Sequence, residues 1–275
     1  MRHAVHRTTP TASGQHRSGR IGHAPAHQFG NGAGPQPECL STTENLRVSA
    51  AQLIDRVRRE LAAAGDPSRA PAMQEYMKSE LPYYGVRLPD VRRICRPIFA
   101  AHPIESAGAF DDTVERLFVG ATHREERYAA IDLAKHRLYR MHQTPDRIPL
   151  YRRLVITGGW WDTVDELASN MIGPILAAYP TEVRPIVLGW ATDQNLWLRR
   201  TAIIAQLGLK RSTDLTLLTQ AIDANAGDTD FFIRKAIGWA LRQYARTDPK
   251  WVQTFVDARE DQLSGLSKRE ARKHL

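Results

Sequence analysis

The stretch TGGWWDTVDEL, from Thr157 to Leu167, combines aromatic rings and carboxylates at a spacing that could do chemistry. If a helix includes Trp161, then Trp161 and Asp165 are four residues apart and share a face of that helix. The face of an indole ring attracts cations, and a neighbouring carboxylate adds a full negative charge. A cation about 4 Å from that carboxylate gains about 4 kcal/mol at an effective dielectric constant of about 20. The stretch therefore predicts a pocket for a cationic group, with Asp165 as a candidate catalyst.

A structural interpretation of the same stretch competes with this one. Asp162 is a suitable N-cap, and Asp165 would then occupy position N3, near the positive end of the helix dipole. Trp160 or Trp161 would in that case belong to the core. The two interpretations are compatible, because Asp165 could serve both as a capping residue and as a catalyst.

The composition is that of a folded chain with a basic balance. Of the 275 residues, 42% are hydrophobic and 25% are charged, and the formal net charge is +8. This charge favours a polyanionic partner. No apolar run approaches the roughly 20 residues that a membrane span needs, and the N-terminus lacks the apolar segment of a signal peptide. We therefore expect a cytoplasmic protein that does not bind membranes.

The N-terminal segment differs in composition from the rest of the chain. Residues 1–45 are rich in Gly, Ser, Pro, His and Arg, and the first acidic residue is Glu38. We expect a disordered basic tail there; a His-rich metal-binding tail is the alternative, although the spacings match no ligand template. Cys39 and Cys95 can form neither a disulfide framework nor a zinc site. We expect no metal and no cofactor, with Cys95 as a small core residue.

Helical periodicity dominates beyond the tail. Leu53, Ile54, Val57 and Leu61 lie on one stripe of a helix that Gly65 would end, and later segments repeat this pattern. No alternating strand pattern is present, which predicts an all-α fold. A small residue or Thr followed by a β-branched residue recurs at intervals of roughly 35 residues, as in helical repeats. These dipeptides are Ala130-Ile131, Thr163-Val164, Ala202-Ile203 and Ala236-Ile237.

Repeats of this length predict a right-handed α-solenoid of HEAT-like repeats over residues 46–265, with residues 266–275 as a basic C-terminal tail in the form of a frayed helix. Basic residues cluster late in the chain. A curved wall of such groups would form a concave basic face that contacts phosphates along a DNA duplex. The alternative is an ordinary solvated surface. The candidate DNA-binding residues in this cluster are Arg199, Arg234, Lys235, Arg242 and Arg246.

Four blocks of the sequence together resemble the AlkD-like DNA alkylation repair glycosylases. They are YMKSELPYYGVRLPDVRR (76–93), GGWWDTVD (158–165), NLWLRRTAIIAQL (195–207) and FFIRKAIGWALRQYA (231–245), in the order found in the family. The resemblance implies a HEAT-like solenoid that excises N3- and N7-alkylated purines, such as N3-methyladenine and N7-methylguanine, from double-stranded DNA. We expect a monomer, which suits the recognition of one lesion in one duplex.

The resemblance also implies roles for individual residues. By position, Asp165 corresponds to the catalytic aspartate of the family and Trp161 to its catalytic-site tryptophan. Arg200 corresponds to the active-site arginine, while Trp239 and Tyr76 correspond to further aromatic residues of the site. Each has a structural alternative: Arg200 could form a salt bridge between repeats, Trp239 could belong to the core, and Tyr76 could pack the first helices together.

These residues suggest a mechanism. An alkylated purine of this kind is cationic and already a good leaving group, so Asp165 would stabilise the oxocarbenium-like sugar and orient a water molecule. Trp161 and Trp239 would pack against the sugar–phosphate backbone, and Arg200 would grip a phosphate. No histidine or second carboxylate in the four blocks is placed as an obvious acid for the departing base, which predicts selectivity for cationic lesions over uracil. The alternatives are a non-catalytic HEAT-like binder of damaged or branched DNA and a protein-interaction scaffold.

Overall fold

The computed structural model describes residues 42–275, which fold into helices and connecting turns without any strand. The prediction of an all-α fold is confirmed. The described part of the chain contains fourteen α-helices: α1 Thr42–Ala63, α2 Ala70–Met77, α3 Leu88–Ala101, α4 Ala107–Val119, α5 Arg124–Ala134, α6 Ile148–Gly158, α7 Trp161–Leu167, α8 Gly173–Ala178, α9 Pro180–Trp190, α10 Leu196–Ile204, α11 Leu215–Asp223, α12 Phe231–Ala245, α13 Pro249–Asp257 and α14 Gly265–Ala271.

Short turns of other helical types connect some of these helices. A π-helical turn, Ala168–Ile172, joins α7 directly to α8. Turns of 3₁₀-helix are formed by Arg137–His142, Pro145–Arg147, Lys210–Ser212 and Arg272–His274. Within residues 42–275, no helix is both long enough and apolar enough to cross a membrane.

The first helix forms as its hydrophobic stripe predicts. Leu53, Ile54, Val57 and Leu61 are all buried, and the backbone N–H of Gly65 donates to a carbonyl of the last turn of α1. Cys95 on α3 is also fully buried, in agreement with the expected core position. The predicted tail lies outside the described residues up to position 41, and so do Cys39 and the N-terminal histidines. Residues 42–45 belong to the first turn of α1.

The helices form two layers. Helices α3, α5, α7, α10, α12 and α14 contact one another in this order and form the layer that carries the site described below. On the other side, α1, α4 and α6 pack in sequence, and α9 packs against α11. The core lies between the layers, where apolar side chains from both meet.

The internal repeat found in the sequence coincides with this arrangement. The four dipeptides lie on α5, α7, α10 and α12, which are successive helices of one layer, and all eight residues are buried. They therefore recur because each repeat contributes the same kind of small and β-branched pair to the core. The fold is consistent with a solenoid of helical repeats. A right-handed twist and a concave basic face stay predictions.

The C-terminus differs from the basic tail expected over residues 266–275. This segment contains most of α14, whose N-cap Ser264 accepts a hydrogen bond from the backbone N–H of Ser267 (3.0 Å). The Ser267 hydroxyl donates to the carbonyl of Arg234 on α12 (2.9 Å). Ser267 and Glu270 are buried. The expected helix is therefore present, but it is not a frayed tail, because it packs against α12 as part of the folded body.

Candidate active site

A cleft of about 560 Å³ opens on the layer that contains α3, α5, α7 and α12. Residues that are far apart in the sequence meet there, including Tyr76, Trp161, Asp165 and Trp239. The apolar and aromatic lining consists of Met73, Tyr76, Met77, Tyr83, Leu88, Tyr128, Ile131, Trp161 and Trp239. The charged and polar lining consists of Arg92, Asp132, Lys135, Asp162, Asp165, Glu166 and Ser169.

Helix α7 presents the two residues singled out first in the sequence. Its first residue is Trp161, and both Trp161 and Asp165 line the cleft, as their i, i+4 spacing predicts. The two glycines before it allow the sharp turn from α6. Gly159 has a φ of +47°, which L side chains rarely adopt, and a Cβ on Gly158 would lie 2.7 Å from Oγ1 of Thr163. The GG pair therefore lets α7 start close against α6 and aim its first turns at the cleft.

Asp165 forms a two-point ion pair with Arg200 of α10. The guanidinium Nε donates to Oδ1 at 2.7 Å, and Nη2 donates to Oδ2 at 2.8 Å. The remaining Nη1 donates to the backbone carbonyl of Phe232 at 2.6 Å. Burial raises the pKa of the Asp165 carboxyl above its ordinary value, and the hydrogen bonds and charge of Arg200 oppose that rise. Arg200 thus holds the carboxylate in one orientation and keeps its negative charge.

This position of Arg200 corrects one expectation. Only 3% of the residue is exposed, and its guanidinium is already occupied by Asp165 and a carbonyl group, so it is not available to grip a phosphate. The alternative, a salt bridge between repeats, describes the observed geometry. Arg200 supports the site from behind Asp165 instead of contacting a ligand in the cleft.

Asp162 is not the N-cap residue of α7, although its Oδ1 accepts a hydrogen bond from the backbone N–H of Thr163 at 2.8 Å. The cap position is Trp160, and Asp162 lies inside the first turn, where Arg124 of α5 forms an ion pair with it. Tyr128 also donates its hydroxyl to Asp162 at 2.6 Å, and the hydroxyls of Tyr128 and Tyr83 are 2.9 Å apart. Burial raises the pKa of Tyr83 to about 12. The capping-box interpretation is therefore wrong, because neighbouring helices supply stronger partners for both aspartates.

The network around Asp162 was missed by the sequence analysis. A signal was available in the run Arg124–Tyr128, REERY, because four consecutive charged residues go around a helix and at least one of them must face its packed side. Glu125 is fully buried and accepts hydrogen bonds from the backbone N–H groups of Gly85 and Val86 at 2.9 and 3.0 Å. It thereby fixes the loop that carries Tyr83 to the cleft.

The cleft also contains two further carboxylates. Lys135 Nζ lies 3.2 Å from Asp132 and 2.6 Å from Glu166, and Arg92 lies 3.4 and 3.8 Å from the same two groups. Asp132 and Glu166 both lie outside the four sequence blocks, so the expectation that those blocks place no obvious acid for the departing base stays a prediction. Each of these carboxylates is paired with Lys or Arg, so none of them is an isolated acid.

The aromatic residues carried over from the resemblance lie at the cleft. Tyr76 is 77% exposed, and Trp239 is half-buried. Trp160 instead packs behind α7, with its ring centroid 6.0 Å from Trp197 and 5.3 Å from Phe232. Of the two adjacent tryptophans, Trp161 therefore lines the site and Trp160 supports it.

Three of the candidate DNA-binding residues form ion pairs within the protein. Arg199 pairs with Asp228 at 3.0 Å. Lys235 and Arg242 both pair with buried Glu270, at 2.8 and 2.6 Å. These contacts connect helices, so at least part of their charge stabilises the fold.

The two other candidates lie elsewhere on α12 and just beyond it. Arg234 is half-buried near the start of the helix, and Arg246 is exposed after its end. Arg246 borders a separate pocket of about 330 Å³ together with Lys210. Neither of them lines the cleft that contains Asp165. Among the residues that the structure describes, no group of three or more His, Cys, Asp or Glu side chains is arranged to hold a metal ion.

Known proteins resemble this chain in both sequence and fold. Residues 57–275 match the family model described as DNA alkylation repair enzyme. A solved structure described as "Predicted DNA alkylation repair enzyme from Enterococcus faecalis" is 32% identical, with a TM-score of 0.64 over 77% of this chain and 96% of that one. No curated protein matches the sequence. The chain belongs to the DNA alkylation repair enzyme family.

Proposed function

We propose that this protein is a monofunctional DNA N-glycosylase, which hydrolyses the bond between deoxyribose and an N3- or N7-alkylated purine in duplex DNA. One observation carries the proposal: the Asp165 carboxylate is fixed by Arg200 in a cleft lined by Tyr76, Trp161 and Trp239. Alkylated purines of this kind are cationic, and both carboxylates and aromatic faces attract cations. A monomer suffices, because one chain supplies all five residues.

The proposed reaction depends more on a negative charge beside the sugar than on an acid that protonates the departing base. When the bond between the sugar and the base breaks, its electron pair moves to the purine and neutralises the positive charge there. The positive charge then develops on the sugar, which resembles an oxocarbenium ion. A water molecule adds to the sugar carbon and releases a proton to the solvent. The Asp165 carboxylate stabilises the cationic sugar and accepts a hydrogen bond from the water.

Because Arg200 already fixes the Asp165 carboxylate, this carboxylate does not have to reorient when the transition state forms. Each Asp165 oxygen accepts one hydrogen bond from the guanidinium and keeps further acceptor capacity for a ligand. A sugar cation about 4 Å from the carboxylate gains at most about 4 kcal/mol at an effective dielectric constant of about 20, because the more distant positive charge of Arg200 offsets part of this attraction. If this interaction arises only in the transition state, the acceleration is at most on the order of a thousandfold.

The decisive experiment is the release of 7-methylguanine from a duplex with a single lesion. We expect wild type to excise the base and Asp165→Asn to be slower by about a hundredfold or more, because the amide has the shape of the acid but not its charge. Asp112→Asn is the matched control, since this exposed carboxylate on α4 lies outside the cleft. It should excise at the wild-type rate.

Two outcomes would contradict the proposal. Tight binding of the lesion duplex without release by wild type would make the protein a binder of damaged DNA. Release of uracil as fast as release of 7-methylguanine would contradict the mechanism, because a neutral base needs an acid that the cleft does not offer.

A further inference from the structure

A smaller pocket of about 280 Å³ lies beside the cleft, toward the C-terminal ends of α3 and α5. We call it the basic pocket. Its lining contains five basic side chains, one carboxylate and one aromatic ring: Arg92, Arg96, Lys135, His136, Arg137, Asp132 and Phe99. Arg92, Asp132 and Lys135 line the cleft as well, so the two cavities share a wall.

The charges in the basic pocket are not balanced. Its single carboxylate, Asp132, is already paired with Arg92 at 3.4 Å and with Lys135 at 3.2 Å. Arg96 and Arg137 are exposed, and no carboxylate in the part of the chain that the structure describes forms an ion pair with either of them. Two permanent positive charges therefore face the pocket without compensation.

His136 is affected by this excess of charge. Burial lowers the pKa of its imidazole, and the positive charges of Arg137 and Arg96 lower it further. Its Nδ1 atom is buried and has no hydrogen-bond partner among the described residues. The nearest aromatic contact is the edge-on ring of Phe99, with centroids 5.8 Å apart. A bound anion would relieve the repulsion among these three basic groups.

We propose that the basic pocket binds a backbone phosphate of the DNA duplex whose lesion occupies the cleft. Arg96 and Arg137 supply charge-assisted hydrogen bonds, and His136 supplies a further donor when it is protonated. Phosphates follow one another along each strand with a rise of about 3.4 Å, so a duplex in the cleft brings neighbouring phosphates to the shared wall. The phosphate contact would set the position of the lesion relative to Asp165. This inference rests on the proposed function only in that DNA occupies the cleft.

Basic residues near helix C-termini have another common role, which the experiment must separate from phosphate binding. They interact favourably with the helix dipole and so raise stability. That role predicts a lower melting temperature when the charges are removed, but no change in how DNA binding depends on salt. Phosphate binding predicts that removal of the charges leaves the melting temperature unchanged and lowers the salt dependence of DNA binding, because each phosphate contact releases counterions from the DNA.

The test measures the Kd of the full chain for an undamaged duplex between about 50 and 200 mM salt. We expect the double variant Arg96→Gln/Arg137→Gln to lower the slope of log K against log salt by about 1 for each lost contact. The control Arg93→Gln/Arg116→Gln removes the same number of charges from exposed residues outside the basic pocket. It should keep the wild-type slope. Equal slopes for both double variants would overturn the proposal.

Failure of this proposal and failure of the glycosylase proposal are distinguishable. The undamaged duplex requires no excision, so a lower slope in the Arg96/Arg137 variant supports the phosphate site even if wild type releases no base. Conversely, excision by wild type together with an unchanged slope in the Arg96/Arg137 variant would support the glycosylase proposal and contradict the phosphate site.

The pH dependence of binding gives a second readout. Several ionisable groups surround His136: Arg92 and Arg96 on α3, Asp132 on α5, Lys135 and Arg137 on either side of it in the chain, and Tyr139, whose ring lies 6.1 Å away. A phosphate favours the protonated imidazole, so wild-type affinity should rise as the pH falls from about 7.5 to about 6, through the His range. His136→Gln should weaken this rise. An identical pH response in the two proteins would exclude His136 as a ligand of the phosphate.

Discussion

Asp165 and Arg200 form the ion pair on which the proposed chemistry depends. A buried ion pair contributes little net stability, because desolvation of both groups offsets their attraction. Its contribution here is geometric: two hydrogen bonds to the carboxylate and one to the carbonyl of Phe232 leave the Asp165 side chain a single orientation. The negative charge of Asp165 is therefore already oriented before substrate binds.

The pH dependence of excision tests this arrangement at the scale of one residue. Burial raises the pKa of Asp165 above 3.8, against the opposing influence of Arg200, and the proposed step requires the ionised form. Activity should therefore be full above this raised pKa and should be lost as the pH falls through it. In Arg200→Gln the opposing influence is gone, so the midpoint should move to higher pH. Single-turnover rates of 7-methylguanine release between pH 4 and pH 8, corrected for acid depurination without enzyme, measure both midpoints. Coinciding midpoints would mean that Asp165 is not the titrating group.

The sequence was informative about which residues line the cleft and less so about how they are held. The spacing of Trp161 and Asp165 placed both on one face of α7, and the resemblance added Tyr76 and Trp239. The partner of Arg200 could not be read from the chain, because Asp165 is 35 residues away and meets it only after α7 and α10 pack. Local sequence rules predicted that the two aspartates cap α7. In the fold, Asp162 instead pairs with Arg124 and Asp165 with Arg200.

At the scale of the helices, α12 and α14 approach each other more closely than side chains normally allow. Gly238 makes this possible, since a Cβ at that position would lie 2.5 Å from Cβ of Glu270 and 2.9 Å from the carbonyl oxygen of Ser267. The sequence SKREARK resembles a solvated tail because its polar residues are prominent. The close approach depends on a glycine about 30 residues earlier, which no local pattern links to this segment.

Replacing this glycine should separate the two helices. Gly238→Ala should lower the free energy of unfolding by about 1 to 3 kcal/mol, because the methyl group overlaps atoms of α14. Gly189→Ala is the control, as Gly189 lies within α9 and its added Cβ would have no neighbour within 4 Å. It should be stabilising by about 0.5 to 1 kcal/mol through helix propensity. Urea unfolding measures the free energy of unfolding of both variants. If Gly238→Ala leaves this free energy unchanged, α14 does not pack tightly against α12.

At the scale of the whole molecule, buried ion pairs join successive helices of the layer that carries the cleft. Arg124–Asp162 joins α5 to α7, and Asp165–Arg200 joins α7 to α10. Farther along the layer, the buried carboxylate of Glu270 on α14 pairs with two partly exposed basic residues of α12. The repeated dipeptides predicted the layer, but not these connections, since charged residues at such distances in the sequence have many possible partners.

The last of these junctions predicts how stability responds to acid. The hydrogen bonds of Lys235 and Lys273 and the nearby charge of Arg242 lower the pKa of Glu270 from 4.5 to about 2. The ionised carboxylate therefore contributes stability above pH 4.5, and this contribution is lost as the pH falls toward 2. We expect Glu270→Gln to cost about 1 to 3 kcal/mol at pH 7 and progressively less at lower pH. Urea unfolding across this range measures the gap between the two proteins, and a gap that does not change with pH would contradict the assignment.

The burial of Cys95 protects its thiol from the reagents that damage DNA. Electrophiles that methylate purines also attack thiolates, and the thiolate is the reactive form of cysteine. Burial raises the pKa of the Cys95 thiol to about 12, and its side chain is fully enclosed. The folded body of this repair protein thus shields one of its own nucleophiles from the electrophiles that alkylate DNA.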